Sequence, residues 1–244
     1  MRLMVHLVAG FPSRAGFAAA AGALRNGGAE ILEIQIPFSD PSADGPAITL
    51  ASESALRSGF RTVDIFDYIR IARGAGFERI MVMTYANIPF RYGVEKYIKD
   101  MRAAGVEGLI TPDLPLEDTE GYYRLALRHG IAPVPVAVAG MLPARLKMLR
   151  PYKKIYVSLR TGITGADTVI SAAVKKFLRG LSGAGYEIYG GFGINKAGQI
   201  KALSPLVHAV VVGSYFTRTV QKAASEKKDI YAAVKSALGK LTGS

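Results

Sequence analysis

Glu33-Ile34-Gln35-Ile36-Pro37-Phe38-Ser39-Asp40-Pro41-Ser42-Ala43-Asp44-Gly45-Pro46 is the stretch from which the rest of the chain is best read. With Ile31 and Leu32 ahead of it, the segment begins as an apolar, β-branched strand. It stops at Pro37, which has no amide hydrogen to give to a ladder. Side chains alternate along a strand, so Leu32, Ile34 and Ile36 share one face and Ile31, Glu33 and Gln35 the other. If the first row packs under helices, Glu33 faces the interior of a sheet or barrel, where a carboxylate is costly unless it is paired or neutral. The loop that follows carries two more carboxylates, Asp40 and Asp44, restrained by three prolines and a glycine.

Outward from this segment one rhythm recurs. Strands are expected at 4–8, 31–36, 79–84, 108–111, 133–138, 155–159, 187–190 and 209–212. Helices are expected at 14–25, 62–75, 94–104, 117–129, 142–149, 168–181, 196–203 and 229–241, with 37–61 as one long loop. Gly27-Gly28, Gly76 and Gly130 stand where helix C-terminal caps belong, and Thr62 where an N-cap belongs. Eight short apolar strands alternating with eight helices predict a parallel sheet closed on itself, a (β/α)8 TIM barrel of the α/β class. Residues 1–244 then form a single domain, a common length for such barrels.

Composition narrows the function classes. Half of the residues are hydrophobic, enough for a large core. The absence of cysteine excludes disulfides, thiolate catalysis and sulfur-based zinc sites. His6, His129 and His208 are scattered, so no metal is expected. No apolar run approaches the roughly 20 residues that span a bilayer, and the first residues lack the length and cleavage pattern of a secretory signal. A cytoplasmic protein with no membrane association is expected. The formal charge of +12 comes from Lys and Arg dispersed over expected helix faces, as in Lys96, Lys99, Arg102 and Lys175, Lys176, Arg179. That is a solvated surface rather than a nucleic-acid footprint, and its field favours an anionic small substrate.

In a barrel of this kind the chemistry sits at the carboxyl ends of the strands. Polar residues and glycines collect there: Asp40 and Asp44 after the second strand, Tyr85 and Asn87 after the third, Asp113 after the fourth. The loop 160–165 (Arg-Thr-Gly-Ile-Thr-Gly) follows the sixth, Gly191-Phe192-Gly193 the seventh and Gly213-Ser214 the eighth. Glycines in consecutive loops on one side of the mouth expose backbone amides, and Ser214 stands where a short helix can begin and present its N–H groups to an anion. A phosphate site is expected there.

Taken in chain order, Glu33, the 37–46 segment, Tyr85-Ala86-Asn87, Asp113-Leu114-Pro115, the 160–165 loop, Gly191-Phe192-Gly193 and Gly213-Ser214 resemble the α-subunit of tryptophan synthase over nearly the whole chain. The resemblance implies retro-aldol cleavage of indole-3-glycerol phosphate to indole and glyceraldehyde 3-phosphate, without a cofactor. It also implies a pyridoxal-phosphate β-subunit as partner in an α2β2 complex, with Asp40 as a candidate contact. By the same carry-over, Glu33 is the acid/base that protonates indole C3 and takes the proton from the glycerol hydroxyl. Asp44 binds the indole N–H, and Tyr85 and Tyr156 contact the substrate. Thr164 hydrogen-bonds Asp44 when the 160–165 loop closes, and Gly165, Gly193, Gly213 and Ser214 hold the phosphate. A Glu33 buried in an apolar barrel is expected to have a raised pKa, and Asp44, nearer water, to stay ionised, so that two carboxylates take two roles.

Some positions depart from the family pattern. Gln35 replaces a glycine and points inward beside Glu33, where it can crowd the pocket or hydrogen-bond the acid. Phe11 replaces an aspartate, and His6 stands where an apolar aromatic is common and reads as a packed strand residue. The stretch 137–142 lacks the family's Pro and Thr or Asn, and the chain begins at its first strand. An alternative reading is therefore a weakly active or inactive barrel that acts mainly as an allosteric partner of the β-subunit.

Overall fold

The segment that opens at Ile31 is a strand covered on both faces, every residue of Ile31–Gln35 being buried. That pattern belongs to a parallel strand held between an interior and a helix layer. A computed structural model describes residues 2–117, 120–159, 170–191 and 193–243. Among these residues the strands are β1 (Leu3–Val8), β2 (Ile31–Gln35), β3 (Arg79–Met83), β4 (Gly108–Ile110), β5 (Ala132–Pro133), β6 (Val136–Val138), β7 (Lys154–Ser158), β8 (Glu187–Gly191) and β9 (Ala209–Val212). All pair in parallel in the order β5-β4-β3-β2-β1-β9-β8-β7-β6.

The sheet closes through the chain itself. β5 pairs with β4 and β6 with β7, yet the two are halves of one extended run. Between them the Val134 amide donates to the Leu109 carbonyl at 2.8 Å, and the Tyr156 amide to the Pro135 carbonyl at 3.0 Å. Both ends of the sheet are thus the same stretch, and the expected barrel forms. Pro135, with no amide hydrogen, divides the strand expected at 133–138.

The helices among the described residues are α1 (Arg14–Asn26), α2 (Pro46–Arg57), α3 (Ile65–Gly74), α4 (Asn87–Tyr92), α5 (Val94–Ala103), α6 (Tyr122–Arg128), α7 (Pro143–Met148), α8 (Ala172–Gly183), α9 (Ala197–Leu203), α10 (Ser214–Ser225) and α11 (Ile230–Thr242). Ser13, Ser171 and Asp229 cap α1, α8 and α11 through their side-chain oxygens. The long loop expected over 37–61 is shorter than that. Gly45 as N-cap and Pro46 at the first turn start α2, the position where a proline's missing N–H costs nothing. The helix expected from 117 begins only at Tyr122, after Gly121 in a left-handed conformation (φ 73°). None of the helices among the described residues is long and apolar enough to cross a membrane.

Strand parity sorts the core into two layers. Leu32 and Ile34 of β2 join Val5 and Leu7 of β1 in the outer row, in one cluster with Phe17, Leu24 and Leu238 of the helices. Met4, Ile31, Met81, Ile110, Tyr156, Tyr189 and Val211 fill the interior. At the amino ends of the strands this interior is closed by ion pairs. Arg79 meets both oxygens of Glu107 at 2.8 and 2.7 Å, and Lys154 lies 3.0 Å from Glu107 and 2.6 Å from Glu187. The carboxyl ends are left for the site.

Candidate active site

β1 and β2 run side by side with His6 opposite Glu33, so both side chains enter the barrel at one level. The Glu33 carboxyl points inward, as its parity predicts, and is only 3 % exposed. His6 Nδ1 lies 3.1 Å from Glu33 Oε1. Glu33 Oε2 and His6 Nε2 are buried with no hydrogen-bond partner among the described residues. Burial alone would lower the His6 pKa, but the Glu33 carboxylate, by charge and by hydrogen bond, and the Asp44 charge lift it above the ordinary histidine value.

Asp44 reaches the same space from the loop after β2. Its backbone amide bonds the Pro41 carbonyl at 2.9 Å, and Gln35 Nε2 donates to its Oδ2 at 2.6 Å inside the barrel. Gln35 therefore bonds the second acid rather than Glu33. The Tyr85 hydroxyl, its pKa raised by burial and then by the neighbouring Asp44 charge, accepts from the Ala43 amide at 3.1 Å, while its ring stacks on Phe38 at 5.2 Å. Asp44 is not nearer water as the sequence suggests: it is buried. Burial raises its pKa, opposed by the Gln35 hydrogen bond, the His6 charge and the Tyr85 hydrogen bond.

Across the cavity stands the glycine-rich wall. Gly193 follows β8 in a left-handed conformation (φ 71°) that favours glycine. Gly213 is the N-cap of α10, and no side chain caps the helix. The twelve-residue α10 thus begins at Ser214 with its positive end at the cavity. The helix expected to start at Ser214 is a full three turns long. A Cβ on Gly213 would lie 3.5 Å from His6 Cβ, so the carboxylate wall and the glycine wall meet at the imidazole. Gly191 is small for a packing reason: a Cβ there would come 2.6 Å from Val211 Cβ and 3.2 Å from the Tyr156 hydroxyl. Tyr156 lines the cavity, and burial, reinforced by the Glu33 and Asp44 charges, pushes its pKa well up and keeps it a neutral hydroxyl.

These groups surround one cavity, lined by His6, Glu33, Asp44, Tyr156, Gly193, Gly213 and Ser214. Ile48, Met83, Ile110, Val136 and Val211 supply apolar walls. The arrangement suits a flat apolar body held by two acids at one side and an anionic group at the other. Of the residues singled out from the sequence, Glu33, Asp44, Tyr156, Gly193, Gly213 and Ser214 come together here. Tyr85 lies one layer back, fully buried behind Asp44. Thr164 and Gly165 lie outside the described residues. Asp40 is exposed at the rim, and Asp113 ties two loops together by accepting from the Ala86 amide at 2.9 Å. Among the described residues no group of three or more His, Asp or Glu side chains gathers as metal ligands.

His6 as a site residue is what sequence reasoning missed. The signal was present: β1 lies beside β2 in any barrel of this order, and the alternation that turns Glu33 inward turns His6 inward too.

The model of the family described as tryptophan synthase alpha chain matches residues 1–243. The tryptophan synthase alpha chain of Helicobacter hepaticus is 35 % identical over 236 residues, covering 93 % of this chain and 88 % of the relative. That of Methanosarcina acetivorans is 36 % identical over 224 residues, covering 90 % and 81 %. A structure of Mycobacterium tuberculosis tryptophan synthase superposes with a TM-score of 0.86 at 30 % identity, covering 99 % of this chain and 91 % of that one.

Proposed function

The chain belongs to the tryptophan synthase alpha chain family, and on that premise we propose that Glu33 is the acid/base of its reaction and Asp44 the group that holds the indole N–H. The chain is a carbon–carbon lyase of tryptophan biosynthesis. It cleaves indole-3-glycerol phosphate to indole and glyceraldehyde 3-phosphate and works with a tryptophan synthase β-subunit. We place it in the cytoplasm and treat residues 1–244 as one barrel domain.

The cleavage needs a proton delivered to ring C3 and another removed from the glycerol hydroxyl, and one carboxyl group can do both in turn. Oε2 of Glu33, buried and without a partner among the described residues, is the oxygen suited to it. Protonation at C3 puts positive charge on the ring nitrogen, which the Asp44 carboxylate stabilises at hydrogen-bond range. Gln35 and Tyr85 steady that carboxylate while leaving it lone pairs to accept the indole N–H. Tyr85 thereby acts through Asp44, and Tyr156 faces the substrate directly. Gly193, Gly213 and Ser214 receive the phosphate at the amino end of α10. Thr164 and Gly165 are assigned by family likeness alone, to loop closure over Asp44 and to the phosphate.

The observation that carries this reading is the meeting of two buried carboxylates and a glycine-framed helix terminus in one cavity. The alternative of a decayed, mainly allosteric subunit rested on Gln35 crowding the pocket, and it is not favoured: the Gln35 amide is spent on Asp44. The test is indole release from indole-3-glycerol phosphate, with and without a β-subunit. We expect Glu33→Gln to lower kcat at least about a hundredfold while melting behaviour and β-subunit activation persist. Equal rates for the two chains remove Glu33 from the mechanism.

A further inference from the structure

We propose that His6 is a positioning residue for the Glu33 acid/base, holding Oε1 so that Oε2 faces the substrate and keeping the proton that Oε2 delivers. The inference rests on the Glu33 reading above and adds a second residue to it.

The geometry is specific. Nδ1 of His6 lies 3.1 Å from Oε1 of Glu33, and the two residues are 4 % and 3 % exposed. Each keeps one heteroatom, Nε2 and Oε2, buried without a partner among the described residues. Both residues open on the substrate cavity, and the ring edge bearing Cδ2 lies against Gly213 at the anion site. An imidazole that only filled space would not place a nitrogen on the carboxylate. Because both residues also line the cavity, the pair stands where a substrate would meet it.

The proton count follows from this pairing. With Nδ1–H committed to Oε1, the pair can hold one further proton, either on Nε2, giving imidazolium and carboxylate, or on Oε2, giving neutral imidazole and carboxylic acid. Both forms have zero net charge, so exchange between them is inexpensive in a buried site. From the acid form Oε2–H protonates C3. As the C3–carbon bond breaks, its electron pair returns to the ring, the glycerol hydroxyl becomes the aldehyde, and its proton goes to Oε2. The pair ends the turnover with the protons it began with. The titratable groups facing His6 among the described residues are Glu33 and Asp44, and their charges raise its pKa. From β9 and α10, Val211, Gly213 and Ser214 bring no charge. Loss of the shared proton at high pH leaves no acid on Oε2, so activity falls along an alkaline limb that belongs to the pair.

The test compares His6→Phe and His6→Asn with the wild type for kcat, KM and the pH profile of kcat. Phe keeps the bulk, and Asn keeps an N–H near the Nδ1 position but cannot titrate. We expect His6→Phe to lose kcat by about tenfold or more, with KM within about threefold and the alkaline limb moved to lower pH by about one unit or more. His6→Asn is expected to recover most of kcat while its limb stays displaced. Wild-type kcat and pH profile in His6→Phe, a change confined to KM, or His6→Asn no better than His6→Phe would overturn the proposal. Should the variants fail to fold, NMR titration of the His6 ring in the unmutated chain and in Glu33→Gln decides: the midpoint must fall on losing the carboxylate, and an unchanged midpoint contradicts it. Full activity in Glu33→Gln would sink the Glu33 reading itself. An inactive Glu33→Gln beside a normal His6→Phe sinks only this inference.

Discussion

The two ends of the barrel interior both hold charged side chains, and they treat them differently. At the amino ends Arg79, Glu107, Lys154 and Glu187 form a chain of pairs, each charge meeting an opposite one at 3.0 Å or less. Arg79 also donates to the Tyr189 hydroxyl at 3.1 Å. Burial would raise the Glu187 pKa, yet Lys154, by hydrogen bond and charge, with help from Lys153 and His208, takes it down to about 2. At the carboxyl ends, among the described residues, Glu33 has one oxygen bound and one bare, and Gln35 and His6 each keep a buried polar atom without a partner. A saturated network holds a fold, whereas open hydrogen-bonding capacity in a buried wall is stable only when something else completes it. In a barrel, stability belongs at the floor and chemistry at the mouth.

That contrast can be broken from either end. Asp44→Asn has the largest expected effect: turnover falls at least about a hundredfold with the fold intact, because the charge facing the ring nitrogen is gone. A near-normal rate would take Asp44 out of the mechanism. Ser214→Asp sets a carboxylate at the amino end of α10, where it repels the phosphate; KM for indole-3-glycerol phosphate is expected to rise about tenfold or more, and unchanged affinity argues against the anion site. At the floor, Lys154→Met removes a cation from two carboxylates. Stability is expected to drop by about 1–2 kcal/mol in denaturant titration, with kcat within about twofold, and a large loss of kcat would mean the ends are not separable. The mildest effect comes with acid. The Glu187 pKa lies below its ordinary value near 4.5, so its contribution to stability is complete above that value and is lost as pH falls toward about 2. Melting followed over this range must show the loss in the wild type and a smaller one in Lys154→Met, where the depression is relieved.

The sequence made the mouth legible better than the floor. Alternation in β2 was enough to turn Glu33 inward, since one strand face had to meet the helices. The glycine turns after β8 and β9 were legible as one wall of the cavity, where Gly193 and Gly213 stand. Where reading failed, the controlling fact was non-local or ambiguous. The prolines and aspartates of 37–46 concealed α2, though Gly45-Pro46 is also a helix start. Pro135 split a strand whose closure with both neighbours only the barrel reveals. Asp44 seemed a solvated loop acid because Gln35 and Tyr85, which hold it inside, come from two different strand ends. Arg79, Glu107, Lys154 and Glu187 stand far apart in the chain, and no spacing between them announces a network.

The central claim is that the bare oxygen of Glu33 is the reacting one. A crystal structure of the chain with a non-cleavable indole alkyl phosphate tests it most directly. The account predicts Oε2 within hydrogen-bond range of the position of ring C3 and its hydroxyl-bearing carbon, the indole N–H on Asp44, and the phosphate at Gly213 and Ser214. An analogue seated with Oε2 turned away from the ring, or with its phosphate at the opposite wall, would contradict it.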